Sequence, residues 1–228
     1  MSSALGIILS GGLRQSLLRR QMGMPIGALP VTESATLLGT WINRMISLST
    51  IDSILVVTSD EADNEMLKEA IARDSLDSSV EIIVEPSGHR GPAGVLRDVV
   101  LNCRSESLVV AEISSVPPPS LESITSKLGF DSTAMTIGMS ENHRPIGLYG
   151  LTRDSLEFIP KLGFFDLKEQ LIPTLIENKR VVSPIMMMPR QLRVTELRDW
   201  LQAIRFLDVG THPDVVLPAS ARIEGSSL

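Results

Sequence analysis

Short runs of consecutive apolar residues recur along the first half of this chain and alternate with segments of helical spacing. Ala4–Leu9 (ALGIIL), Ile54–Thr58 (ILVVT), Val80–Val84 (VEIIV) and Leu108–Ile113 (LVVAEI) read as strands. Their Val, Ile and Leu residues follow one another rather than falling at every second position. That pattern belongs to strands covered on both faces. Thr36–Leu48, Glu61–Arg73 and Gly91–Asn102 read as the intervening helices, the second with Ala62, Met66, Leu67, Ala70 and Ile71 on one face. Repeated strand–helix–strand units imply parallel pairing through right-handed crossovers. The expected fold class is therefore α/β, three layers deep, with a mostly parallel central sheet.

The alternation blurs after Pro117-Pro118-Pro119. A helix is expected near Ser120–Leu128, and strands at Ala134–Met139 and Ile146–Leu151. Leu167, Leu171, Ile172, Leu175 and Ile176 mark a helix broken or offset by Pro173. Val181–Met188 reads as a strand whose methionines, Met186 to Met188, are flexible core filler. Leu197, Trp200, Leu201, Ile204 and Leu207 mark a last helix.

Several function classes are disfavoured at once. A net charge of −6 argues against a sequence-independent hold on nucleic acid, which needs a basic face. The single cysteine, Cys103, allows no internal disulfide and suits a reducing compartment. No apolar run approaches the roughly 20 residues of a membrane span. Ala4–Leu9 is too short for a signal peptide's apolar region, so the expected location is cytoplasmic. No GxSxG elbow is present, and His89, His143 and His212 are too scattered for a metal motif.

The first strand runs into Ser10-Gly11-Gly12. Glycines in that place let backbone N–H groups approach a ligand and form an anion-binding concavity. Arg14, Arg19 and Arg20 put cations nearby, although a plain tight turn with solvated arginines fits the same residues. Neither GxGxxG nor GK[ST] is present.

The order of motifs resembles the sugar-phosphate nucleotidyltransferases. Their opening, GGxGTRLxPLT followed by Lys-Pro and a short segment ending in Pro, is similar to GIILSGGLRQSLLRRQMGMPIGALPV here. Glu85-Pro86 with Gly91-Pro92-Ala93-Gly94 is similar to EPxxxGTAG. Gly147-Leu148-Tyr149 is similar to the sugar-side GIY strand, and Leu207-Asp208-Val209-Gly210-Thr211 to DxGT. The resemblance implies a three-layer, Rossmann-like nucleotidyltransferase domain over residues 1–212. It implies an enzyme joining a nucleoside triphosphate and a sugar 1-phosphate, with release of pyrophosphate. The alternative is a catalytically inactive nucleotide- or sugar-nucleotide-binding homologue. Residues 213–228 would be a tail resembling the entry to a left-handed β-helix, and self-association is an open expectation.

The resemblance also implies site residues. Ser10, Gly11, Gly12, Leu13, Glu85, Gly91, Ala93 and Gly94 would bind the nucleotide. Gly147, Asp166 and Glu169 would bind the sugar, and Glu112 with Asp208 would hold Mg2+. The opening loop departs from the pattern. The family's arginine falls on Ser16 and its lysine on Ile26, so Arg14 and Arg20 are the candidate catalytic cations, with His143 and Arg144 the nearest on the sugar side.

Overall fold

The computed structural model describes residues 3–11, 16–76, 80–85, 90–101, 103–128 and 132–211. Chain order runs β1 (Ala4–Leu9), α1 (Leu17–Met22), α2 (Leu37–Ile46), β2 (Ile51–Thr58), α3 (Glu61–Arg73) and β3 (Val80–Val84). It continues through α4 (Gly91–Val100), β4 (Ser107–Glu112), α5 (Glu122–Thr125), β5 (Thr133–Ser140), β6 (Pro145–Thr152), α6 (Ile172–Glu177), β7 (Val181–Met188) and α7 (Leu197–Thr211). The strands form one seven-stranded sheet in the order β3-β2-β1-β4-β6-β5-β7. Only β6 runs against the rest. The chain is thus an α/β protein with a mostly parallel central sheet.

Both faces of that sheet are covered, which explains the unbroken apolar runs. Ile8, Ile54, Val56, Val109 and Ala111 pack on one side with α2, α3 and α7. Leu5, Ile7, Leu55, Val57, Leu108 and Val110 pack on the other with α4 and α6. The split follows from chain direction. α2 and α3 link strands that step one way across the sheet, whereas α4 links β3 back to β4 on the far side of β1. Right-handed crossovers stepping in opposite directions leave their helices on opposite faces.

Two sequence expectations shift and a third is narrowed. The helix expected over Ser120–Leu128 is a single turn, Glu122–Thr125, without a side-chain cap. Pro173 offsets its helix, one of the two expected outcomes, rather than breaking it. Leu167–Leu171 forms a π-turn in which the Ile172 N–H reaches back to the Leu167 carbonyl, and α6 follows with proline in its first turn. Proline has no N–H to give, and the wider turn moves the start of regular bonding past it. The stretch read as DxGT is not a turn but the end of α7, which continues through Thr211.

Candidate functional site

The strand order reverses between β1 and β4, because the chain leaves β1 toward β2 and later returns to its other side. Ligands of open α/β sheets bind outside the carboxyl ends of the strands at such a reversal. A cavity of about 470 Å³ lies there, within the usual size for a small-molecule site. Leu9, Gly11 and Val57 form its floor with the end of β4. Gly91, Pro92 and Val95 line it together with Phe164, Asp166, Leu167 and Lys168, the two segments lying against each other. Glu85, Tyr149 and Arg193 complete the lining.

Glu112, the last residue of β4, is the centre of its electrostatics. Its Oε1 accepts from the Tyr149 hydroxyl at 2.9 Å and pairs with Lys168 Nζ at 2.7 Å. Its Oε2 lies 2.8 Å from Arg193 Nη2. That second contact is an ion pair without hydrogen-bond alignment, since Oε2 is buried and accepts no hydrogen bond among the described residues. Tyr149 is 1% exposed. Burial, and then the adjacent charge of Glu112, push its phenol well above the usual tyrosine range, so it stays a donor.

Irregular chain brings the two cations in. Asp166 caps the π-turn by accepting from the Lys168 and Glu169 N–H groups at 2.7 and 2.9 Å, which orients Lys168. Arg193 sits in an isolated antiparallel bridge with Ser115. Val194 donates to the Ser114 carbonyl at 2.6 Å, and Arg193 Nε to Ser114 Oγ at 3.0 Å. Lys168 and Arg193 thus reach the site through contacts that local periodicity cannot register.

Of the residues expected from sequence, Gly11, Glu85, Gly91, Glu112 and Asp166 line the cavity. Glu85 lies beside Gly11, where a Cβ would be 3.7 Å from its Oε2. Gly91 has φ +72° and leaves no room for a Cβ, which would be 2.7 Å from the Phe165 carbonyl oxygen. That same carbonyl accepts the Ala93 and Gly94 N–H groups at 3.2 and 3.4 Å. The backbone amides of two expected nucleotide-binding residues are therefore engaged within the chain. Ser10 is buried at the strand end and donates its N–H to Val57. Glu169 is exposed on the π-turn.

The cationic and metal-binding expectations fall elsewhere. Arg20 is exposed on α1, and its neighbour Arg19 pairs with Asp63 of α3. His143 and Arg144 are exposed between β5 and β6. Asp208 is exposed on α7, the helix that packs on the face with α2 and α3, and it is not part of the cavity lining. Gly12, Leu13, Arg14 and His89, and the tail from residue 213, lie outside the described residues.

Gly147 supports the site from below. Its φ is +76° within β6, beside the register shift between β5 and β6. A Cβ there would overlap Ser115 Oγ and lie 3.3 Å from Glu112 Cβ. Gly147→Ala is expected to cost about 1–3 kcal/mol through strain and displaced packing. Urea denaturation reads this directly, and an unchanged midpoint would show that the strand accommodates the methyl.

No protein-family profile and no curated protein sequence matches the chain. Solved structures do. A UDP-glucose pyrophosphorylase complexed with UDP-glucose superimposes with a TM-score of 0.67 at 11% identity, over 92% of this chain and 100% of that one. The inositol-1-phosphate CTP transferase from T. maritima gives 0.66 at 11% identity, over 90% and 97%. HddC from Yersinia pseudotuberculosis complexed with GMP-PN gives 0.64 at 16% identity, over 91% and 100%. Together with the sheet order and the cavity at its reversal, these superpositions give the chain the fold of the sugar-phosphate nucleotidyltransferases.

Proposed function

We propose that the cavity binds a nucleoside triphosphate beside a sugar 1-phosphate and joins them into a nucleoside-diphosphate sugar. An oxygen of the sugar phosphate attacks the α-phosphorus. The bond from that phosphorus to the bridging oxygen of the β-phosphate breaks, and pyrophosphate leaves with the electron pair. Such a step needs fixed positive charge where negative charge accumulates. The observation that carries the reading is the convergence of Lys168 Nζ and Arg193 Nη2, at 2.7 and 2.8 Å, on one carboxylate at the sheet's reversal. Glu85 and Asp166 line the same cavity and would face the polar edges of base and sugar. Among the described residues no helix is long and apolar enough to cross a membrane. A cytoplasmic location, where such substrates are made and used, belongs to the same proposal.

A magnesium ion held by Glu112 and Asp208 does not fit this arrangement. Both oxygens of Glu112 face protein cations, and Asp208 sits on the layer behind the sheet. The reading therefore rests on the chain's own cations, Lys168 and Arg193, and routes no step through a metal.

A second reading, binding without turnover, draws on the opening loop. Ser16 Oγ caps α1 by accepting the Arg19 N–H at 3.2 Å. Ile26 is 3% exposed within the core. Neither position presents a cation. Pyrophosphate release across a panel of nucleoside triphosphates and sugar 1-phosphates separates the two. Release for one pair is the expected result. Calorimetric binding without release selects the second reading, and no binding of any nucleotide overturns both.

A further inference from the structure

Glu112 lines the cavity and occupies the two cations, Lys168 and Arg193, that an incoming phosphate would need. Its two partners, Lys168 and Arg193, are 35% and 39% exposed and are long side chains on irregular segments. Its third partner, Tyr149, is fixed in the core. The two oxygens are also held unequally. Oε1 has the phenol as a donor, whereas Oε2 is buried under Arg193 and accepts no hydrogen bond among the described residues. Both cations hold Glu112 as ion pairs, and the phenol supplies its hydrogen bond, so the two cations are the exchangeable partners. Ammonium and guanidinium groups bind phosphate oxygens as they bind carboxylate oxygens, the guanidinium often with two N–H groups at once.

We infer that Glu112 is an internal competitor for the ligand's phosphate, and that phosphate enters by exchange rather than through a divalent cation. Its oxygens take Lys168 and Arg193 from Glu112, while the Tyr149 hydroxyl retains the carboxylate. In the closed state the cations are held in place with their charge offset. In the bound state both serve the ligand, and Arg193 keeps its Ser114 anchor. This rests on the reading of the cavity as a phosphate site, but not on the cavity taking a nucleotide or turning one over.

The two roles for Glu112 predict opposite signs for one substitution. A carboxylate that holds a metal makes phosphate binding magnesium-dependent, and its removal weakens binding. A competing carboxylate makes binding independent of magnesium, and its removal strengthens it. Calorimetry with inorganic pyrophosphate on the full chain, in excess EDTA and then in magnesium, reads the difference. Glu112→Gln keeps the shape and an acceptor for Tyr149. It is expected to bind pyrophosphate roughly tenfold tighter than the parent in EDTA, the scale of two partly exposed ion pairs given up.

The parent protein is expected to bind equally in EDTA and magnesium, which decides the question even if E112Q fails to fold. Loss of binding in EDTA, weaker binding by a folded E112Q, or no pyrophosphate bound by either protein overturns the inference. Pyrophosphate binding of the expected sign with no nucleotide bound leaves the exchange standing and removes only the transferase reading.

Discussion

Replacing Arg90 with alanine is expected to lower stability by about 3–5 kcal/mol, the cost of breaking a buried charge pair from one side. Arg90 is 6% exposed. Its guanidinium meets Asp98 twice, Nε to Oδ2 at 2.8 Å and Nη2 to Oδ1 at 3.3 Å. It also donates to the Pro160 carbonyl at 3.0 Å and to the Gly163 carbonyl at 2.5 Å. The hydrogen bond with Asp98 raises its pKa above the usual arginine value. Alanine would leave one carboxylate and two carbonyls without this donor.

The consequence extends to the cavity. The segment that Arg90 ties down continues into Phe164, Asp166 and Lys168, which line it. The Phe165 N–H bonds the Arg90 carbonyl at 2.8 Å, so backbone and side chain fasten the same strap. Urea unfolding measures the stability loss, and pyrophosphate calorimetry below the transition measures the site. Arg90→Lys should recover little, because an ammonium cannot serve a carboxylate twice and two carbonyls in these directions. A loss under 1 kcal/mol in the alanine variant would show the strap is held by its backbone alone.

The contrast between Glu112 and its partners shows what was legible in the sequence. The strands of the parallel half were readable because burial on both faces leaves a direct mark, an unbroken apolar run. Glu112 was singled out through the family resemblance, as an expected Mg2+ ligand at the end of the fourth strand. Lys168 and Arg193 left no such mark. One depends on a π-turn that a proline shifts out of regular spacing. The other depends on a bridge to Ser115 across a long sequence separation.

The stretch matched to DxGT lies in a helix for a related reason. Asp-x-Gly-Thr has strong turn chemistry, yet the face marked by Leu197, Trp200, Ile204 and Leu207 carries α7 onward. Glycine near a helix end costs only about 1 kcal/mol, which packing elsewhere on the helix offsets. Ala93 and Gly94 illustrate the remaining gap. Helix N-terminal amides are good ligand donors when free, but sequence cannot show that a distant carbonyl, here that of Phe165, has already taken them.

Removing the site's cations should have the largest effect on function. Lys168→Ala is expected to lower the rate of pyrophosphate release by about 10²–10³-fold, the usual loss when one preorganised charge-stabilising donor is removed. Arg193→Ala should lose a similar factor. The double variant should lose less than the product, because both groups face the same carboxylate and would face the same phosphate. Stability separates this from a structural effect. Without Lys168, Glu112 keeps Arg193 and the Tyr149 hydroxyl, and a partly exposed ion pair contributes only about 1 kcal/mol or less.

The distribution of the loss identifies the role. A fall in kcat with KM nearly unchanged places Lys168 on charge that develops during transfer. A rise in KM alone makes it a ground-state phosphate ligand. Lys68→Ala, which removes an exposed partner of Glu65 on α3, controls for the general loss of a positive charge and should change neither constant. If Lys168→Ala and Lys68→Ala behave alike, the convergence on Glu112 is a structural ion pair, and the cavity's chemistry must come from other groups.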